Sequence, residues 1–467
     1  MNDANTRFLK CGLILGALLA ASGLAQAQSS APAPAPKTDD SLTYKGITLY
    51  GIVDIGLQYQ THGAPINDYF PAGSADIVQK NSNHSIVGLT PNNLSQSRIG
   101  LNGKEELVGD WSAVFKLETF FNPQSGEISD ACKSLVQNNG RSVASGTQTT
   151  NLDSSICGQT FQQSFAGFSS KTIGTIVFGR QNTLIADGVA KYDPNAASQA
   201  FSLIGLSGTT AGGGDTQNRR FDDSVKYTNT FLGVLHVGTM YKFNGAWGSA
   251  STAWEHNLGF NYAGFSLDGY YAKIRDAVSV ASLSPAQVAD LPGLGYSSSN
   301  ALATTISDNT AFDFMASYTW DVLKFYAGYE HISYANPQTP LAAGFDIAAY
   351  KIAFVNNNAY PMDKVLQVYW AGIKFAVTPQ IDITGAWYGY KQNAYGITPA
   401  TENCSSNAAA TCSGTTDDYS ADVVWKMTKR FSSYAGMMYT GVHDGQANGY
   451  IFHTNDVTTT IGVRYTF

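Results

Sequence analysis

The sequence predicts an all-β chain: a sixteen-stranded antiparallel transmembrane β-barrel with long external loops and short periplasmic turns. Three observations predict it. Only 13% of the 467 residues are charged, about half of what a soluble globular domain carries, while aromatic residues reach 12% and glycines number 46. Beyond residue 30 no run of about 18 apolar residues could serve as a transmembrane helix, whereas period-2 alternation recurs, so any crossing is made by strands. The connections between these alternating runs are themselves alternately long and short, as in even-stranded outer-membrane barrels. A formal net charge of −7 offers no basic face for nucleic acid.

The first 27 residues read as a Sec-type signal peptide. Arg7 and Lys10 precede an uncharged apolar stretch from Cys11 to Leu24, and Ala25-Gln26-Ala27 is a small-x-small cleavage site. Residues 28–43 are a Pro/Ala-rich segment, with Ser29 to Asp40 reading SSAPAPAPKTDD, a tether that cannot pack a core. Residues 44–467 are left for the barrel.

The first strand shows the pattern. Ile47, Leu49, Gly51, Val53, Ile55, Leu57 and Tyr59 fall on one face, and Thr48, Asp54 and Gln58 on the other. In the third, Trp111, Ala113, Phe115, Leu117 and Phe121 oppose Ser112, Lys116 and Glu118; in the last, Ile461, Val463, Tyr465 and Phe467 share a face. Read this way, strands are expected at 47–60, 94–104, 111–121, 161–171, 173–180, 222–230, 233–243, 251–263, 264–275, 310–320, 323–334, 364–377, 380–391, 418–428, 431–442 and 456–467. The run 345–355 is assigned to a loop, because three asparagines and Pro361 follow it.

Long polar stretches such as 61–93, 122–160, 276–309 and 392–417 follow odd-numbered strands, and tight turns follow even-numbered ones. Aromatic residues at strand ends (Trp111, Phe120, Phe121, Tyr318, Trp320, Trp387, Tyr388, Tyr390 and Phe467) fit interfacial girdles. Sixteen strands enclose enough space for an aqueous channel, whereas eight would be filled by side chains.

Four cysteines remain after the leader, as two close pairs, Cys132 with Cys157 and Cys404 with Cys412, both in polar stretches. In an oxidising compartment such pairs close as loop disulfides; a metal site is disfavoured because no histidine stands near either. Both are expected outside the barrel wall, where reduction would loosen loops and leave conduction intact. The seven histidines are scattered, with no HExxH, GxSxG or cysteine partner, and Gly212-Gly213-Gly214 lacks the Lys-Ser of a phosphate loop. No enzyme, cofactor or metal is expected.

Thr48-Leu49-Tyr50-Gly51-Ile52-Val53-Asp54, Ser97 to Leu107 (SRIGLNGKEEL), Ala113 to Phe121 (AVFKLETFF), Phe165-Ala166-Gly167-Phe168, Phe178-Gly179-Arg180-Gln181, Asp223-Ser224-Val225-Lys226-Tyr227 and the terminal Arg464-Tyr465-Thr466-Phe467 occur in that order. Taken together they resemble the trimeric general porins of Gram-negative outer membranes, in particular the beta-proteobacterial branch. The resemblance spans nearly all of the mature chain. It implies a homotrimer in outer-membrane lipid and lipopolysaccharide, passing small hydrophilic solutes and ions by passive diffusion. A substrate-selective channel is the alternative within transport, and an outer-membrane hydrolase or a surface adhesin the alternative outside it.

The resemblance also implies a third loop folded into the barrel, with carboxylates facing an arginine cluster. Asp187 and Asp193 follow Gly179-Arg180 at the spacings of the family's loop carboxylates, Arg98 matches the cluster's first arginine, and Arg220 another, with Arg219 an equal candidate by position. Arg98 also points inward by its parity against Ile99 and Leu101. The chain departs from the pattern at Gln162, where some members carry arginine, and Lys116, inward by parity, is placed to compensate. Asp193 precedes Pro194, a pairing that also opens turns.

Overall fold

In a computed structural model the chain closes on itself as one ring of sixteen wall strands, joined throughout by antiparallel ladders. The structure describes residues 42–467 except 64–67, 70–83, 142–155, 207–218, 244–251, 398–410, 449 and 451. The expected signal peptide and most of the Pro/Ala segment therefore lie outside the described residues, as does Cys404. No described helix is long and apolar enough to cross a membrane.

The wall strands are β1 (Ile47–Gln60), β2 in two pieces (Ile86–Pro91 and Arg98–Glu106), β3 (Trp111–Phe120), β4 (Gln163–Ser170), β5 (Gly174–Asn182), β6 (Arg220–Phe231), β7 (Leu235–Lys242) and β8 (Ala253–Tyr262). They continue with β9 (Phe265–Ala281), β10 (Ala301–Trp320), β11 (Leu323–Ala335), β12 (Lys364–Thr378), β13 (Ile381–Gln392), β14 (Gly414–Lys426), β15 (Phe431–Asp444) and β16 (Asn455–Thr466). Closure pairs Ile52–Gln60 of β1 with Thr458–Thr466 of β16, Asp54 opposite Arg464. Among the described residues, four short α-helices lie in the long connections: α1 (Ala131–Gln137), α2 (Leu184–Tyr192), α3 (Leu203–Leu206) and α4 (Pro285–Leu294).

Alternation decides which side chains meet lipid. Leu57, Leu89, Phe168, Phe178, Leu258, Phe314 and Trp320 stand exposed on the outer surface, whereas Asp54, Gln58, Gln60, Glu118, Thr458 and Thr460 are buried inside. Those polar groups bond to each other, as in the relay from Gln60 to Gln58 to Thr460, so the inner face satisfies its own donors and acceptors. The turns are short for a stereochemical reason: between β8 and β9 only Ala263 and Gly264 intervene, with φ of 49° and 83°, the two left-handed residues of a type I′ hairpin whose twist suits the strands.

The differences from expectation are local. Phe120, Tyr388 and Tyr390 point inward and are buried, so they do not belong to the lipid-facing girdle, while Tyr318 and Trp320 do. β9 and β10 run outward beyond their expected ends, past a bulge between Ile274 and Ala277. Part of the 345–355 run does form a strand, Tyr350–Asn356, but it pairs in parallel with the outer end of β10 and is no part of the wall. β2 is interrupted at residues 92–97, where Asn92 takes φ 64°.

Candidate functional site

β5 ends at Asn182, and Thr183 caps α2 by accepting the Ala186 N–H at 3.2 Å. The helix turns into the barrel rather than away from it. Its apolar residues Leu184, Ile185, Val189 and Tyr192 join Tyr270, Met315, Ile332, Trp370 and Tyr388 of the inner wall in one buried cluster. The inward carboxylate of Glu255 receives the N–H groups of Leu184 (2.6 Å) and Ile185 (3.4 Å), placing an acid at the positive end of the helix. At the other end Lys191 bonds Asp268 at 2.8 Å, and the Trp370 indole donates to the Tyr192 carbonyl at 3.1 Å.

Past the helix the third loop continues around the wall. Pro194 packs on Gly372, where an added Cβ would lie 2.4 Å from the proline ring. Asn195 reaches Ser420 at 3.1 Å, Phe201 packs against Tyr434, and Ala200 donates to the Asn93 carbonyl at 2.9 Å. That carbonyl belongs to the interruption of β2, which turns inward to meet the loop. Asp54 fixes the interruption, accepting from Leu94 N–H (3.0 Å), Ser95 N–H (3.3 Å) and the Tyr434 hydroxyl (2.6 Å). One strand thus supplies both a stretch of wall and a contact for the third loop.

The cations cluster on the wall of β2, β3 and β6. Arg98 stacks over Phe120 with its guanidinium 5.3 Å from the ring centre, and Arg220 lies over the same ring at 4.8 Å. Beside them Lys116 and Arg98 approach the buried Glu118 carboxylate at 3.4 Å and 3.8 Å. Glu118 also accepts from Tyr50 (2.8 Å) and Gln163 (2.9 Å), so its charge is fully engaged. Arg219 donates to the Gly205 carbonyl at 3.3 Å, bracing the returning end of the loop.

The two expected loop carboxylates part company. Asp187, in the first turn of α2, is half exposed and is held at 3.0 Å by Lys226 of β6. Asp193 is buried: it accepts from the Tyr388 hydroxyl and from the Ala197 N–H, each at 2.6 Å. Burial pushes its carboxyl above the ordinary value, opposed by the hydroxyl of Tyr388. Asp193 is therefore a pin between loop and wall rather than a charge bordering water.

Lys226 carries no signal of its own beyond the parity of β6. Arg180 is a further residue that spacing did not single out; it pairs with Asp222 and donates to Gln162 at 3.0 Å. The glutamine at that position thus serves as the acceptor of a neighbouring arginine.

Comparison with known proteins fits this geometry. The model of the Gram-negative porin family matches residues 15–445. The chain belongs to the Gram-negative porin family. Curated relatives of this porin include outer membrane porin proteins of Bordetella pertussis and of Delftia acidovorans, each 27% identical over 237 residues. That match takes in 50% of this chain, and the chain spans about half the length of the curated relatives it matches, 49% and 50%. Among solved structures, the porin is similar in fold to an anion-selective porin from Comamonas acidovorans (TM-score 0.55, 16% identity, 90% of this chain and 99% of that one). It is also similar to OmpT of Vibrio cholerae (TM-score 0.55, 12% identity, 92% and 100%). Family and fold place the porin in the outer membrane of a Gram-negative cell.

Proposed function

We propose that this porin forms a water-filled channel for passive diffusion of small hydrophilic solutes, with a preference for anions. One observation carries the reading: three inward acids are fully covered, whereas two cations of the arginine cluster, Arg98 and Lys116, stay partly exposed even though Arg220 beside them is buried. Glu255, Asp313 and Glu330 are buried, Glu255 directly against the first N–H groups of α2, whereas the side chains of Arg98 and Lys116 retain 23% and 25% of their exposure. Charged side chains along a pore set which ions find passage favourable, and a confined lumen screens them less than bulk electrolyte does. The fold neighbour from Comamonas, whose description is anion-selective, supports the same sign. Homotrimeric assembly within outer-membrane lipid and lipopolysaccharide belongs to the same proposal, in keeping with a structure of Vibrio cholerae OmpT described as a trimer form.

Reversal potentials in a salt gradient across a planar bilayer test the reading. Open steps with an anion-directed potential are expected, moving toward cations in Arg98→Ser. A protein that inserts but gives no steps, or whose potential has the cation sign, overturns it.

A further inference from the structure

The second loop does not stay outside the barrel. After β3 the chain doubles back, with Phe121 bridged to Ile128 and Ser129 donating to the Phe120 carbonyl at 3.1 Å. It then enters α1, capped by Asp130, which accepts the Lys133 N–H at 3.0 Å. Ala131, Cys132 and Leu135 are completely buried there, although the helix has only seven residues and cannot bury them against itself.

What buries them comes from distant parts of the ring. Their cluster contains Val280 of β9, Leu302 of β10, Tyr350 of the sixth loop and Met438 of β15. β10 stands seven strands from β3 in a ring of sixteen, almost opposite, and β15 lies on another sector again. A segment that leaves β3 and shares one buried cluster with residues of these sectors reaches across the mouth. Met438 also fixes the depth: it is two residues above Gly436, where an added Cβ would lie 2.7 Å from the Phe201 ring of the third loop. The second loop therefore rests immediately above the third.

Polar contacts tie down the far end. Asn139 donates to the Ser298 and Ala301 carbonyls at 2.9 Å and 2.8 Å and accepts from Leu283 N–H at 2.7 Å. Gly140 N–H bonds the Leu283 carbonyl at 2.9 Å, Ser282 bonds the Leu135 carbonyl at 2.8 Å, and the Tyr350 hydroxyl bonds Asp130 at 2.7 Å. The Cys132–Cys157 disulfide, buried at the centre, fastens the crossing segment to its own return.

We propose that this crossing segment is a second selectivity element, a disulfide-fastened bar that sets the size limit for solutes at the external mouth before they reach the third loop. The inference rests on the channel reading. Its logic is steric: a solute must pass between the bar and the wall, and pore diameter is one of the determinants of what a channel admits. Loop closure by a disulfide restricts alternative arrangements of the enclosed segment, so the clearance stays fixed while the bond is intact.

The test uses the full-length protein in bilayers and in sugar-loaded liposomes. Reducing a Cys404→Ser/Cys412→Ser channel after insertion opens only Cys132–Cys157, and no refolding is needed. Conductance is expected to rise about twofold or more with the wider path, and swelling to extend from monosaccharides to trisaccharides. Leu135→Asp, which unseats the helix without touching sulfur, is expected to do the same while the anion-directed potential persists. If the unreduced parent never conducts, the channel reading fails. If it conducts, and thiol labelling proves reduction while conductance and size limit stay unchanged, the bar is overturned.

Discussion

Asp187 and Lys226 form an ion pair at 3.0 Å, linking the helix inside the barrel to β6, the strand to which its loop returns. The carboxylate is therefore compensated at close range. Lys226→Met is expected to release it, shifting the reversal potential toward cations, whereas Asp187→Asn shifts it toward anions by freeing the lysine. Equal potentials for both variants and the parent at low salt, where screening is weakest, would remove this pair from the ion path.

Asp193 ties the third loop to the wall through the Tyr388 hydroxyl. Removing its carboxylate in Asp193→Ala leaves the Tyr388 hydroxyl buried without its acceptor, at a cost of about 1–3 kcal/mol. The expected outcome is a folded barrel whose third loop fluctuates, seen as noisy, larger conductance steps and protease cleavage near residue 194. Quiet steps of parental size would show that Trp370 and the apolar face of α2 hold the loop unaided.

At the external rim His62 and His453 stack with ring centres 3.6 Å apart. Burial, and then the neighbouring His62, hold His453 below the ordinary histidine value. A depressed folded value means that the contact contributes fully above about pH 6.5 and is lost as pH falls through the lower value. Amide exchange at residues 61–62 and 452–453, corrected for intrinsic rates, should quicken between pH 7.5 and 5 in the parent and change little in His453→Gln. Parallel behaviour of the two proteins would refute the coupling.

Phe467 ends the chain against β1, exchanging backbone hydrogen bonds with Gly51 at 3.0 Å and 3.1 Å. Its ring covers that glycine so closely that an added Cβ would lie 2.3 Å from it. Deleting Phe467 should reduce heat-modifiable barrel on unheated gels without reducing export, and Gly51→Val should do so by displacing the ring. Parental yields for both would mean that closure does not depend on this seam.

Sixteen wall strands were legible because a lipid-facing side chain and a lumen-facing one must alternate, and residues such as Leu57 and Gln58 obey that rule whatever surrounds them. Alternation also gave Arg98 and Lys116 their inward direction. It was silent where tertiary packing decides. Phe120 stands at a strand end like a girdle residue, and the two guanidinium groups that cover its inward-facing ring come from other strands. Asp193 is buried against Tyr388, far along the chain, and against its own turn, whereas Asp187 faces Lys226 and stays half exposed. The inward turn of β2 had a local sign in Pro91-Asn92-Asn93, but its partner Asp54 could not be known from spacing. The second loop looked like an external polar stretch because the apolar residues it buries, among them Ala131, Cys132, Leu135 and Ile156, are too scattered to announce a core shared with four other segments.

The parallel strand Tyr350–Asn356 has a consequence for solubility at the cell surface. β10 projects past the last residue of β11 that pairs with it, Asp308 opposite Ala335, and its outer residues would otherwise present a row of unpaired peptide groups to the medium. Such an edge is a template on which foreign chains add, the usual start of aggregation. Lys351 to Asn356 occupy that edge opposite residues 301–305, and on its other side β10 is covered by β9. A long β-ribbon can thus stand above the membrane without recruiting its neighbours, and shortening the sixth loop would trade a compact protein for a sticky one.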